Sequence, residues 1–113
     1  MLATNIARTR TVTLSFGAAA ILHAVAAGQQ FGFDIIGATG LTSGTVYPTL
    51  SRAERAGFVR GKWEDRQVAD REARPRRRHY VITAAGEAAL TRSVERLDTL
   101  TAAARAAVRK VRA

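Results

Sequence analysis

Hydroxyl and guanidinium groups dominate the stretch Thr42–Gly57, which reads Thr-Ser-Gly-Thr-Val-Tyr-Pro-Thr-Leu-Ser-Arg-Ala-Glu-Arg-Ala-Gly. Val46, Leu50 and Ala53 recur at i, i+4 and i+7, which predicts a helix with a narrow apolar stripe. The opposite face carries Thr45, Tyr47, Thr49, Arg52 and Arg55, with Glu54 as the one acid among them. Ser43 or Thr42 can cap the helix N-terminus, and Gly57 stands where a left-handed turn would end it. Groups of these types at this spacing recognise anions. Early hydroxyls and free backbone N–H groups meet phosphates, and the longer side chains reach base edges. Pro48 lies too deep to be a first-turn proline and should cost the helix one backbone bond. The bland alternative is an amphipathic surface helix with a solvated polar face.

A second charged cluster follows. From Arg60 to Arg78 there are eight basic residues (Arg60, Lys62, Arg66, Arg71, Arg74, Arg76, Arg77, Arg78) against four acids (Glu64, Asp65, Asp70, Glu72). Such a run is ordinarily a solvated face, but at the tip and base of a hairpin that follows a DNA-reading motif it becomes a phosphate contact. Lys62, Arg74, Arg76, Arg77 and Arg78 are therefore expected on DNA.

The same inventory argues against an enzyme. Cysteine is absent, which removes disulfides, thiolate metal sites and thiol nucleophiles. His23 and His79 have no Ser or Asp placed as triad partners, and the carboxylates lie among arginines. Gly37 and Gly40 punctuate a helix end and form no phosphate-binding loop. His23, alone on an alanine-rich helix, reads as structural. Neither a metal nor a cofactor is expected.

Around these clusters the periodicity predicts an ordered set of elements. Residues 1–12 read as an arm in which Arg8 and Arg10 could touch phosphate. Thr13–Ala27 reads as a helix that stops at Gly28. Phe31–Thr39 reads as a second, short helix with Phe33, Ile35 and Ile36 in the core, stopped by Gly40. The link to the third helix is only Gly40, Leu41 and Thr42, so the two form a helix-turn-helix. After Gly57 the period changes to two. Phe58–Glu64 and Arg76–Ile82 read as strands, with Tyr80 and Ile82 on one face and Val81 on the other. Between them Asp65–Pro75 reads as a long charged loop, so that 58–82 forms a wing. Trp63 reads as packing on the first strand. Thr83 caps a last helix, and from there Leu90, Val94, Leu97, Thr101, Ala104, Val108 and Val111 make a heptad seam with Leu100 beside it. A helix roughly 40 Å long by its rise per residue cannot bury that stripe on a small domain. Pairing with the same helix of a second chain is the economical solution. The fold class is thus mainly α (α+β): an arm (1–12), a winged helix-turn-helix domain (13–83) and a C-terminal dimerisation helix (84–113).

Composition sets the wider bounds. The chain has 113 residues, enough for one domain, and a net charge of +9 that implies a polyanionic partner. Apolar runs are far too short for a membrane span, and the opening residues lack a signal-peptide pattern, so a cytoplasmic protein associated with the nucleoid is expected.

Individual residues resemble a known family. Ser43-Gly44-Thr45-Val46-Tyr47-Pro48-Thr49-Leu50 is similar to the recognition-helix signature of PadR-like transcriptional regulators. Phe31-Gly32-Phe33-Asp34-Ile35-Ile36 resembles the family's His-Gly-Tyr-Glu-Leu segment, and Glu54-Arg55-Ala56-Gly57-Phe58-Val59 its Glu-x-x-Gly-Leu-Val junction. Arg76-Arg77-Arg78-His79-Tyr80-Val81-Ile82-Thr83-Ala84-Ala85-Gly86 resembles its Arg-Arg-Tyr-Tyr-x-Leu-Thr-x-x-Gly run. The resemblance covers 18–90 and implies a homodimer that binds operator DNA, regulated by a small-molecule effector or another signal. There are departures. Phe31 and Phe33 replace more polar aromatic residues, and the wing is longer and more charged. The C-terminal helix has no Trp, Tyr or Phe, so the aromatic-lined effector pocket between paired C-terminal helices, found in some small members, does not carry over. The reading is a sequence-specific regulator, with Ser43, Thr45, Tyr47, Thr49 and Arg52 on the operator and the wing on its backbone. The rivals are a non-specific chromosome-associated basic protein and a module that meets an acidic protein partner.

Overall fold

In the computed structural model of the chain, the described residues are 14–112. The arm expected over 1–12, with Arg8 and Arg10, lies outside them. The elements in order are α1 (Phe16–Ala26), α2 (Gly32–Thr39), α3 (Ser43–Arg55), β1 (Val59–Trp63), α4 (Arg66–Arg71), β2 (Arg78–Ile82) and α5 (Ala84–Arg112).

Ser15 starts α1 by accepting the Ala18 N–H on its hydroxyl at 3.1 Å, satisfying one of the free donors of the first turn. After α1 the chain runs beside β2. The Tyr80 N–H donates to the Gln30 carbonyl at 2.8 Å, and Phe31 bridges His79. Gly40, at φ +72°, closes α2 in the left-handed conformation that favours glycine. Ile21, Leu22, Ile35, Val46 and Leu50 are fully buried where α1, α2 and α3 meet. Phe58, Val59, Tyr80 and Ala89 extend this core to the sheet and to α5. The strands pair antiparallel, from Val59 opposite Ile82 to Trp63 opposite Arg78. Tyr80 and Ile82 face inward and Val81 outward, as the alternation predicts.

Thr83 welds the wing to α5. Its N–H donates to the Phe58 carbonyl at 3.0 Å and its hydroxyl to the Gly57 carbonyl at 2.6 Å, while its oxygen accepts the Gly86 N–H at 3.0 Å. Gly86 lies against the Phe58 carbonyl with no room for a Cβ. Three helices, a two-stranded wing and a long C-terminal helix make a winged helix-turn-helix fold.

The structure corrects three expectations. Phe33 is not core: it is 78% exposed, because Ile35 alone of the α2 side chains points fully inward, with Ile36 packed at the margin. The charged loop holds a helix, α4. Asp65 caps it by accepting the Gln67 N–H at 2.9 Å, and its own Ala69 is fully buried. One alanine is too small a signal for hydrophobic periodicity to register. The α5 seam, finally, is divided. Leu90 packs on its own core beside buried Ala89 and Ser93, whereas Val94, Leu100, Val108 and Val111 stand exposed. The molecule measures 63 × 42 × 21 Å, elongated by the 29-residue α5.

Candidate nucleic-acid interface

Helix α3 takes its place from Val46, Leu50 and Ala53, all buried. Thr49 follows Val46 by three residues and precedes Ala53 by four, so it shares their face. It is only 7% exposed, and its hydroxyl accepts Arg52 Nη2 at 3.2 Å. The expectation that Thr49 meets DNA is therefore corrected. Ser43, Thr45, Tyr47 and Arg52 are exposed. So are Gly44, Pro48, Ser51 and Arg55, which occupy the middle of the same outward arc. Ser51 and Arg55 were absent from the expected site, although their spacing from Tyr47 and Pro48 was a legible signal. No side chain caps α3: Thr42 holds the N-cap position, but its hydroxyl donates to Thr45 Oγ1 at 3.3 Å instead of bonding the helix backbone. The early N–H groups thus keep their anion-accepting character.

Tyr47 is held in place by what Gly32 lacks. Its ring lies on the Gly32 backbone, and a Cβ there would meet the Tyr47 ring, with its hydroxyl oxygen 2.8 Å away. The ring faces the wing. Tyr47, Phe33, Trp63, Arg76, Arg77 and Arg78 line one cleft of about 320 Å³. Arg52 is turned the other way, onto a groove beside Ser15 and Ala18 at the start of α1.

Within the wing, Glu64 sorts the arginines. Its side chain, only 10% exposed, accepts Arg74 at 2.5 Å and Arg77 at 3.2 Å. Its own carbonyl accepts Arg76 Nε at 2.8 Å. The Arg74 guanidinium beside it, ahead of the opposing effect of burial, holds the Glu64 carboxyl at about 2. Arg74 also binds Glu72 at 2.7 Å, and Arg78 binds Glu54 of α3 at 2.5 Å. Both guanidinium groups have their pKa raised, Arg74 chiefly by the Glu64 bond and Arg78 chiefly by the Glu54 bond. Burial is the main cause that pushes the Tyr80 phenol up. Arg74 and Arg78 are thus half-buried structural ties, against the expectation that they present their charge. Arg76 and Lys62 are exposed, and Arg77 lies over the Phe31 ring at 4.0 Å while remaining 45% exposed.

Trp63 departs from its expected packing role. It is 53% exposed, with Arg78 and Arg76 at 5.4 and 6.0 Å from the ring centroid. His23 is exposed, and among the described residues no cluster of His, Cys, Asp and Glu could hold a metal. No helix among them is long and apolar enough to cross a membrane. Along α5, Thr101 and Ala104 are exposed with Val94, Leu100, Val108 and Val111, and Leu97 is half-buried.

Comparison with known proteins follows the same lines. The profile of the transcriptional regulator PadR-like family matches residues 21–92. No curated protein matches significantly. Among solved structures, smu.1704 from Streptococcus mutans superposes with a TM-score of 0.71 at 22% identity, covering 88% of this chain and 93% of its own. A PadR-like transcription factor from Bacteroides fragilis gives 0.64 at 20% identity, over 93% and 97%. A PadR-like transcriptional regulator from Bacillus cereus gives 0.64 at 18%, over 80% and 89%. At these identities the likeness is one of fold.

Proposed function

This chain belongs to the transcriptional regulator PadR-like family, and from that premise we propose that it is a homodimeric repressor of a two-fold symmetric operator. The regulator itself is a DNA-binding protein of a family of transcription factors, not of enzymes. The observation that carries the finer reading is the shared cleft, in which Tyr47 of the recognition helix stands beside Arg76 and Arg77 of the wing. A helix in the major groove and a hairpin on the adjoining backbone need that juxtaposition.

On this reading Ser43 and the uncapped α3 N-terminus sit on a phosphate, Thr45, Tyr47 and Ser51 face base edges, and Arg52 swings from Thr49 to a base edge on binding. Lys62, Arg76 and Arg77 grip the backbone, while Arg74 and Arg78 brace the wing. Residues 13–83 form the reading unit and 84–113 the dimerisation helix, whose interface is Val94, Leu97, Leu100, Thr101, Ala104, Val108 and Val111. Two α3 helices then enter successive major grooves about 34 Å apart. An effector that releases the operator is part of this reading, as is a cytoplasmic, nucleoid-bound location. Two variants test the roles. Arg52→Ala relaxes sequence preference by about 1–3 kcal/mol at one base pair. Arg77→Ala weakens all duplexes alike and lowers the salt slope by about one. Anisotropy titrations against matched and mismatched duplexes at several salt concentrations read both, and equal behaviour of both variants and parent overturns the assignment.

A further inference from the structure

The wing carries a second cavity at its base, beside the cleft that faces Tyr47 and sharing Trp63 and Arg76 with it. Trp63 is the sole tryptophan of the sequence and stands 53% exposed at the end of β1. It lines a half-open cavity of about 710 Å³ together with Phe31, His79, Lys62, Arg66 and Arg76. The Phe31 and His79 rings meet edge to face, 6.3 Å apart. Two acids border the cavity, and both are engaged. Glu64 is paired with Arg74 and Arg77, and the Asp65 carboxylate accepts the Gln67 N–H. The cations are freer. Lys62 and Arg66 are exposed, and Arg76 is tethered through Nε alone, at the outer edge of cation–π range from Trp63.

Aromatic faces bordered by three cations, with Glu64 already paired and Asp65 the one acid left to oppose them, form a stacking platform with an electrostatic funnel. A paired base cannot use such a platform, because its faces are covered by its neighbours in the stack. A cavity of this size lies within the range of small-ligand sites and is large enough for a nucleotide. We propose that the wing-base cavity binds an unpaired nucleotide, its base stacked on Trp63 or Phe31 and its phosphate held by Lys62, Arg66 and Arg76. The protein thereby has a single-strand mode besides its duplex mode. The shared chemistry, a nucleobase with its phosphate, comes either from a DNA strand or from a free nucleotide.

Trp63 is its own reporter. In the full-length protein, a twelve-residue oligo-dT quenches the Trp63 fluorescence saturably, whereas inorganic phosphate at equal charge does not. Saturable quenching by dTMP as well assigns the free nucleotide as a sufficient ligand; quenching by the oligonucleotide alone assigns the strand. Trp63→Leu and Phe31→Leu each weaken binding of labelled oligo-dT by about tenfold, the size expected for one lost base stack. Arg66→Ala, at a cavity cation outside the duplex-reading set, weakens oligo-dT binding and leaves blunt-duplex affinity within twofold of the parent, which separates this site from the operator-reading surface. Absence of quenching, unchanged oligo-dT affinity in Trp63→Leu, or equal loss of duplex and oligo-dT binding in Arg66→Ala overturns the proposal. Phe31→Leu retains the reporter and supplies the same test should Trp63→Leu fail to fold.

Discussion

Single side chains settle which arginines of the wing are tied down and which face solvent. In the sequence Arg74, Arg76, Arg77 and Arg78 are alike, four cations around one proline. Glu64 and Glu54 distinguish them: Arg74 and Arg78 are held half-buried by Glu64 and Glu54, Arg77 pairs with Glu64 while staying 45% exposed, and Arg76 bonds only the Glu64 carbonyl. The Glu64 carboxyl is held at about 2, below its value in an unfolded chain. A depressed folded pKa contributes stability that is fully present above the unfolded value and is lost as pH falls through the folded one. The window is therefore about pH 4.5 down to about 2. Glu64→Gln is expected to lower the thermal midpoint above pH 5, with the difference from the parent closing across that window. Differential scanning calorimetry from pH 7 to pH 2 reads it, and a gap constant with pH contradicts the role given to Glu64.

At the level of elements, helices and strands were legible where apolar residues repeat, and less so where one small residue decides. The stripe Val46, Leu50, Ala53 placed α3 and its outward arc, and Tyr80 with Ile82 set the register of β2. Thr49 escaped because its hydroxyl suggested exposure while its spacing placed it in the core. The same blindness hid α4, whose anchor is Ala69, and the short pairing of Phe31 with His79 that makes the wall of the wing cavity. Charge arithmetic located the basic face but not the ion pairs within it, since pairs such as Arg78 with Glu54 join residues far apart in the chain. The end of α4 carries a local cost. Ala73 has φ +52°, a left-handed conformation unfavourable for a residue with a Cβ by roughly 1–2 kcal/mol. Ala73→Gly removes that strain at the expense of a more flexible unfolded chain, so a net gain of about 0.5–1 kcal/mol is expected. Urea unfolding measures it, and a loss of stability contradicts the assignment of strain.

For the whole molecule, the unfinished surface is the outer part of α5. Beyond Ser93 the helix leaves its own domain, and a stripe including Val94, Leu100, Val108 and Val111 faces solvent in the single chain. On the proposed reading this exposed apolar stripe is an interface, and a second copy of the same helix supplies the matching surface. Leu100 is 54% exposed, so Leu100→Glu should leave the winged domain folded while dividing the dimer. Sedimentation velocity is expected to give a dimer for the parent and a monomer for the variant, and a parent that sediments as a monomer overturns the pairing. On the same reading dimerisation sets the DNA geometry, because two wings and two recognition helices reach one duplex only if α5 holds them at half-site spacing. The most direct measurement is a competition titration at physiological salt between a duplex recovered by selection from random sequence and its scrambled counterpart. A ratio of about 10³ or more with two chains per duplex is predicted, whereas equal affinity for the two duplexes would contradict sequence-specific reading by a paired molecule.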